Sequence, residues 1–251
     1  MIVLRVLLNG LIMAAEIAAV VGVAVLGFYH PFEFAAGTAA LSFALGLNLE
    51  VARLKNEVPF YFGRASSLRL LFLPVVGAME ALMKGVLAGV AALFTFAGTN
   101  ADRLFWVAII FGGTIYAGAS ALRIMSLRLE AYPSRWGFFR LGPPLGLLFS
   151  AGLAVTAAYG LIPSTSVGDL GWKLVWELPR NPSVVQVSEL FFQIKQAFDG
   201  FIVTLLRTVL DESTAQIVGV VVSVNVLTGF VASVYAAVIA TAVRWAEDRL
   251  P

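Results

Sequence analysis

Three ionisable side chains lie within long apolar stretches of the chain: Glu16 in the first stretch, and Glu80 and Lys84 in the third. A charge at the centre of a bilayer costs roughly 2.5–3.5 kcal/mol on insertion scales, so each needs a partner, water or a change of protonation. Glu80 and Lys84 are four residues apart with the acid first, the favoured order for a helical ion pair. This pattern indicates either a proton- or ion-coupled site or a structural clamp between helices.

We expect Glu16, Glu80 and Lys84 to form one coupled polar site between the first and third helices. Two carboxyls and one ammonium leave one acid without a partner, so one carboxyl should stay protonated at neutral pH. Asn225, in the last apolar stretch, is assigned to the same set of intramembrane polar residues. Its amide could bind a substrate or form a hydrogen bond with a neighbouring helix.

The residue inventory excludes several kinds of chemistry. The chain has no cysteine, which removes disulfides, thiolate metal sites and cysteine nucleophiles. With His30 as its single histidine, it cannot ligate a haem through two histidines, and a zinc site built on several histidines is not expected. It contains no G-x-S-x-G or H-E-x-x-H motif. The sequence therefore predicts no cofactor, no metal site and no catalytic chemistry.

The composition is that of a membrane protein. Of 251 residues, 60% are hydrophobic and 13% are charged, whereas soluble domains are about half apolar and a quarter charged. About 20 mostly apolar residues span a bilayer as a helix. We predict an all-α integral membrane protein in which residues 1–251 form a single transmembrane domain, a bundle of six helices at about 2–29, 33–49, 70–97, 104–126, 141–162 and 216–243.

The basic residues predict an orientation. Arginine and lysine are concentrated in 50–69, in 123–140 and in the C-terminal tail. Because short cytoplasmic loops are rich in these residues, we expect both termini to be cytoplasmic and the protein to reside in the plasma (inner) membrane. The basic and aromatic stretch around Trp136 is interpreted as an orientation signal that contacts anionic lipid.

Residues 163–215 are predicted to be an external amphipathic segment. Within it, a helix is expected from about Ser183 to Leu210, with apolar residues recurring at helical spacing and polar residues largely opposite. Such a helix lies in the plane of the membrane interface or packs over the bundle. A re-entrant insertion is the alternative.

Small residues recur every fourth position on two helices, a spacing that allows helix backbones to approach closely. The positions are Gly10, Ala14, Ala18 and Gly22 on the first helix, and Gly77, Ala81, Gly85 and Gly89 on the third. We interpret them as packing surfaces, within the bundle or against another chain.

The balanced charge of +2 gives no indication of nucleic-acid binding. The partners we expect are the lipid bilayer and either other membrane subunits or further copies of this chain. The favoured function is a membrane-embedded subunit of a larger transport or secretion assembly. The alternatives are a stand-alone channel or proton-coupled permease for a small solute, a membrane-protein assembly factor, and an intramembrane enzyme.

Overall fold

The computed structural model describes residues 2–62, 69–98, 100–161, 183–212, 214–215, 218–219, 223 and 225–249, and it contains helices without strands over these ranges. The long helices are α1 (Ile2–Tyr29), α2 (Pro31–Phe62), α3 (Arg69–Thr95), α4 (Ala101–Leu129), α6 (Gly142–Ala158), α7 (Val184–Arg207) and α8 (Asn225–Arg249); α5 (Pro133–Arg140) is a short helix between α4 and α6. The prediction of an all-α chain is therefore confirmed over the described residues.

Within this described part, five helices are long and apolar enough to cross a membrane: α1, α2, α3, α4 and α8. The protein is accordingly a multi-pass membrane protein. Helix α6 is apolar but has 17 residues, about 26 Å at 1.5 Å per residue, which is short for a bilayer core of about 30 Å. The count of six spans stays a prediction.

The helix pairs α1–α4, α2–α3 and α6–α8 pack antiparallel, so the bundle has two distinct ends. We call one of them the basic end, because it carries Arg128, Arg135, Arg140, Arg244 and Arg249; α4 and α8 end there, and α5 lies there. The opposite end holds the turn at His30 and the α3–α4 connection, where the side chain of Asn100 accepts a hydrogen bond from the backbone N–H of Arg103 and caps α4.

Two helices extend further toward the basic end than predicted. Helix α2 runs to Phe62 instead of ending near residue 49, because Glu50, Arg53 and Glu57 form ion pairs at i,i+3 and i,i+4 spacing that stabilise a continuing helix. Helix α8 runs to Arg249 instead of ending near residue 243, with Arg244 and Asp248 at i,i+4 spacing. Charged residues that suggested loops are helical in both cases.

The core is centred on α8, which packs against α6, α4, α5 and α3. Four fully or almost fully buried phenylalanines, Phe34, Phe96, Phe111 and Phe149, meet edge to face with ring centroids 5.3–6.4 Å apart. Tyr235 of α8 stacks on Phe34 at 5.4 Å. Such aromatic pairs add stabilisation beyond their buried area, and they join α2, α4, α6 and α8 to Phe96, the residue directly after α3.

Close backbone approach requires glycine where α6 crosses α8. A Cβ on Gly229 would collide with the carbonyl oxygen of Gly142 and with the backbone of Gly146. The predicted stripe on α3 is also a packing surface, but its partner is α2. Gly77 faces Val51, and Gly85 faces the Ala39 carbonyl. The expected packing of α3 on α1 is therefore wrong, since α2 occupies that face of α3.

Candidate functional site

A charge cluster lies between α2 and α3. Lys84 of α3 forms an ion pair with Glu50 of α2, whose side chain is 1% exposed. The hydroxyl of Ser42 donates a hydrogen bond to the backbone carbonyl of Lys84 (3.3 Å). Since α2 continues as a helix past residue 49, Glu50 lies on its buried side instead of in a loop.

Arg53 links three carboxylates in this cluster. Its Nη1 lies 2.9 Å from Glu50 Oε2, its Nε 3.1 Å from Glu57 Oε1 and its Nη2 3.2 Å from Glu80 Oε2. The contact with Glu50 is an electrostatic one, since the buried Oε2 accepts no aligned hydrogen bond from any described residue. With Lys84, the cluster holds three carboxylates and two cations, an excess of one negative charge when all are ionised.

A second cluster joins α1, α4 and α8. Buried Glu16 has its Oε2 3.9 Å from Nη1 of Arg123, and Nη2 of Arg123 donates a hydrogen bond to Glu247. The Nε–H of Arg123 is buried, and no acceptor for it lies in the described part of the chain. This cluster also has one carboxylate more than its cations.

The predicted single site of Glu16, Glu80 and Lys84 is therefore wrong. Glu16 pairs with Arg123, whereas Glu80 and Lys84 pair with residues of α2. The physical reason is packing: α1 lies against α4, and α2 covers the face of α3 that carries the charges. We expected one site with one carboxylate more than its cations, and each of the two clusters has this excess.

Asn225 belongs to neither cluster. It is the first residue of α8, at the opposite end, where its backbone N–H donates to the Ser223 hydroxyl. Its buried Oδ1 has no donor among the residues that the structure describes. Nearby, Thr228 and Thr95 share a hydrogen bond (2.9 Å), and deeper in the bundle Tyr235 and Thr38 share another (2.8 Å). These hydroxyls hold α8 to α3 and α2.

Sequence reasoning missed Glu50, Arg53, Arg123 and Glu247. Each was assigned to a connecting stretch or to the tail, because charge near the end of an apolar run suggests a loop. The spacing Glu50–Arg53–Glu57 was the available signal, since acids three residues before and four residues after an arginine are typical of a continuing helix.

At the opposite end, α7 docks through polar anchors. The hydroxyl of Ser188 bonds with the backbone N–H and carbonyl of Gly98 (3.1 and 3.2 Å), and the Arg103 guanidinium stacks over Phe192 at 4.2 Å. Lys195, 5% exposed, donates to the Phe94 carbonyl (3.4 Å) at the C-terminal end of α3. A cation suits a helix C-terminus, where carbonyls lack partners.

Burial lowers the pKa of Lys195 to about 8. The Arg103 guanidinium adds to this lowering, and the Asp199 carboxylate opposes it. The docked position of α7 therefore disfavours the charged form of its central lysine.

A groove of about 750 Å³ runs between α1 and α4 on the outside of the bundle. It is almost entirely apolar, and its lining includes Ile17, Val21 and Val25 of α1 and Gly112 and Gly113 of α4. A smaller cavity of about 180 Å³ lies between α3 and α8, where Ser42 and Lys84 are its polar members. Within the described ranges, no group of three or more His, Asp or Glu side chains could hold a metal ion.

The apolar groove and the two charge clusters, each with one buried carboxylate, are thus the features from which a function can be argued. Comparison of the chain with family models, curated proteins and solved structures found no match.

Proposed function

We propose that this chain is a membrane-embedded subunit of a larger transport or secretion assembly, without catalytic chemistry of its own. The observation that supports it is the outward face of α1 and α4, which we call the lateral face: the small-residue stripe of α1 together with the groove beside it. We propose that a transmembrane helix of a partner subunit packs there.

Helix α1 is poorly covered by its own chain. In an apolar window of 18 residues on α1, 28% of residues are buried, against 67% in the corresponding window of α8. The buried positions form a narrow row that includes Ile12, Glu16, Val20 and Ala24, and the remaining sides of the helix face outward.

The exposed side has the character of a helix-packing surface. Gly10 and Ala14 of the small-residue stripe share one face with Ile17 and Val21, at spacings of four, three and four. A Cβ added at Gly10 would have no other described part of the chain within 4 Å. Apolar burial drives no association between helices in lipid, so small residues that permit close van der Waals packing mark the contact. The neighbouring groove, with Gly113 open on α4, offers a matching recess.

The test is purification of the full chain from its native membrane, followed by mass spectrometry of what accompanies it. Ala14→Leu adds bulk to the lateral face, and Ala154→Leu adds the same bulk to an exposed position on α6. We expect a stoichiometric partner with the wild type and the control, and its loss with Ala14→Leu. A chain that purifies alone, or as a homo-oligomer, would contradict the proposal.

We further propose that the basic end faces the cytoplasm of the plasma membrane, so that both termini are cytoplasmic. The supporting observation is the concentration of arginine there. The chain has no native cysteine, so single cysteines at Ser134 on α5 and at Ala101 on α4 are clean reporters. An impermeant thiol reagent added to intact cells should label Ala101→Cys alone; labelling of Ser134→Cys instead would reverse the orientation.

A second candidate function is a proton-coupled permease. It is favoured by one buried carboxylate in each cluster, Glu50 in one and Glu16 in the other, since a buried carboxyl can gain and lose a proton where water is scarce. In reconstituted vesicles with an internal pH dye, Glu50→Gln and Glu16→Gln should reduce proton flux while Glu33→Gln, at an exposed turn, leaves it unchanged. Equal flux in empty and protein-containing vesicles would eliminate this candidate.

A further inference from the structure

We propose that the basic end carries a binding site for the phosphate headgroup of an anionic phospholipid, formed by Arg135 and Arg244, whose guanidinium groups both lie against the ring of Tyr132. This site is independent of the proposed subunit function, and it does not depend on which side of the membrane the basic end faces.

Two cations share one aromatic ring at this place. The guanidinium carbon of Arg244 lies 4.8 Å from the centroid of the Tyr132 ring, and that of Arg135 lies 5.2 Å from it. The two guanidinium groups are therefore at most about 10 Å apart. Like charges at this distance repel each other, and an anion bound between them would remove the repulsion.

The two arginines are held differently. Arg244 is anchored: it donates to the Ser126 hydroxyl (2.8 Å) and to the Ala131 carbonyl (2.9 Å), and Asp248 lies 3.7 Å away. Arg135 is exposed and, among the described residues, lies within ion-pair distance of no carboxylate. Guanidinium groups recognise phosphate oxygens through paired hydrogen bonds, so the anchored Arg244 and the exposed Arg135 can both donate to one phosphate.

The surroundings strengthen the positive field. Arg140 lies over Trp136 and Arg249 over Trp245, at 5.7 and 3.9 Å from the ring centroids. With Arg128, Arg135 and Arg244, these arginines number five. The acids nearest to them in the sequence are Glu130, Asp248 and Glu247, and Glu247 is already paired with Arg123.

The neighbouring apolar surface indicates a lipid in place of a free phosphate. The apolar span of α4 ends at Leu129, and Leu127 and Leu129 are each 69% exposed directly before Tyr132. Tyr132 and Trp245 are themselves more than half exposed. Aromatic rings at the end of a span lie at headgroup level. A phospholipid whose phosphate binds the two arginines would therefore have its acyl chains beside these leucines.

The test is native mass spectrometry of the purified full chain titrated with phosphatidylglycerol or with phosphatidylcholine. We expect Arg135→Gln to weaken phosphatidylglycerol binding about fivefold, the effect expected for one basic residue near an anionic surface, and to leave phosphatidylcholine binding unchanged. Arg207→Gln, an exposed arginine on α7 at the opposite end, serves as the matched control and should bind like the wild type.

Three results would overturn the proposal. Equal phosphatidylglycerol binding by the wild type and Arg135→Gln would show that the site lies elsewhere. Displacement of the lipid by millimolar inorganic phosphate would make it a site for free phosphate. A similar loss of phosphatidylglycerol binding in Arg207→Gln would show that binding depends only on the overall charge of the protein. Because Arg135 is exposed, its substitution should leave the melting temperature unchanged, which separates loss of the site from loss of the fold.

Discussion

The pairing of Lys84 with Glu50 predicts which carboxyl becomes isolated when the lysine is removed. Lys84→Met keeps most of the side-chain volume and deletes the charge, leaving the carboxylate of Glu50, with a 1% exposed side chain, beside Arg53 alone. A buried charge that loses its partner is strongly destabilising, whereas removal of both charges is often nearly neutral. Lys84→Met combined with Glu50→Gln should therefore be more stable than Lys84→Met by itself.

The magnitude follows from the geometry. Breaking a buried ion pair from one side costs about 3–5 kcal/mol. The loss here should lie near the lower limit, about 3 kcal/mol, because the Lys84 side chain is 21% exposed and Arg53 remains 2.9 Å from Glu50. For a chain of this size, 1 kcal/mol shifts the melting temperature by about 2–4 °C, so we expect a decrease of roughly 6–12 °C. The double variant should regain most of it.

The assay is the fraction of purified protein that stays monodisperse in size-exclusion chromatography after heating. Lys55→Met removes an exposed lysine and should shift the midpoint by less than about 2 °C, since surface charges contribute little. Glu80→Gln combined with Lys84→Met should rescue less than Glu50→Gln does, because the Glu80 side chain is 36% exposed. If Glu80→Gln rescues as well as Glu50→Gln, or if neither does, the inferred pairing is refuted.

Three further predictions concern packing, pH and membrane depth. Gly229→Ala should abolish folding or lower the melting temperature severely, because the added Cβ meets the α6 backbone. Gly37→Ala should be neutral, because a Cβ added there meets no described atom within 4 Å. Similar yields of the two variants in detergent would contradict the α6–α8 crossing. The folded pKa of Lys195, about 8, lies below the unfolded value of 10.5, so the unfolded state binds more protons between these values. Docking of α7 should therefore strengthen as the pH rises from about 8 to 10.5. A spin label at Gln193 should lose mobility over this range in the wild type but not in Lys195→Met, and unchanged mobility in both would refute the linkage. A label at Ile194 should be reached by lipid-soluble oxygen and the one at Gln193 by a water-soluble relaxant; equal exclusion of both reagents would indicate an enclosed or re-entrant helix.

Helix α7 shows what a periodic sequence pattern can predict and what it cannot. Apolar spacing in 183–210 predicted an amphipathic helix, and α7 occupies Val184–Arg207 with a capping box at Ser183 and Gln186. The same pattern would not predict that the face with Ser188 and Lys195 is the one against the bundle, since a lysine suggests exposure. Lys195 is buried because carbonyl groups at the end of α3 require a donor.

Composition and hydropathy by themselves determined that the chain is an all-α membrane protein, because the cost of unpaired backbone groups in lipid leaves an apolar chain few alternatives. Local spacing also predicted the glycine stripe on α3. Only the tertiary structure decided that α2 covers that stripe, and so that Glu80 and Lys84 meet Arg53 and Glu50 while Glu16 meets Arg123. The reason is physical. Hydropathy depends on each residue's own transfer from water to lipid, whereas a side chain's ion-pair partner depends on which helix lies beside it. Helices of similar apolarity cannot be told apart by hydropathy, and the fit of their packing surfaces decides which of them become neighbours.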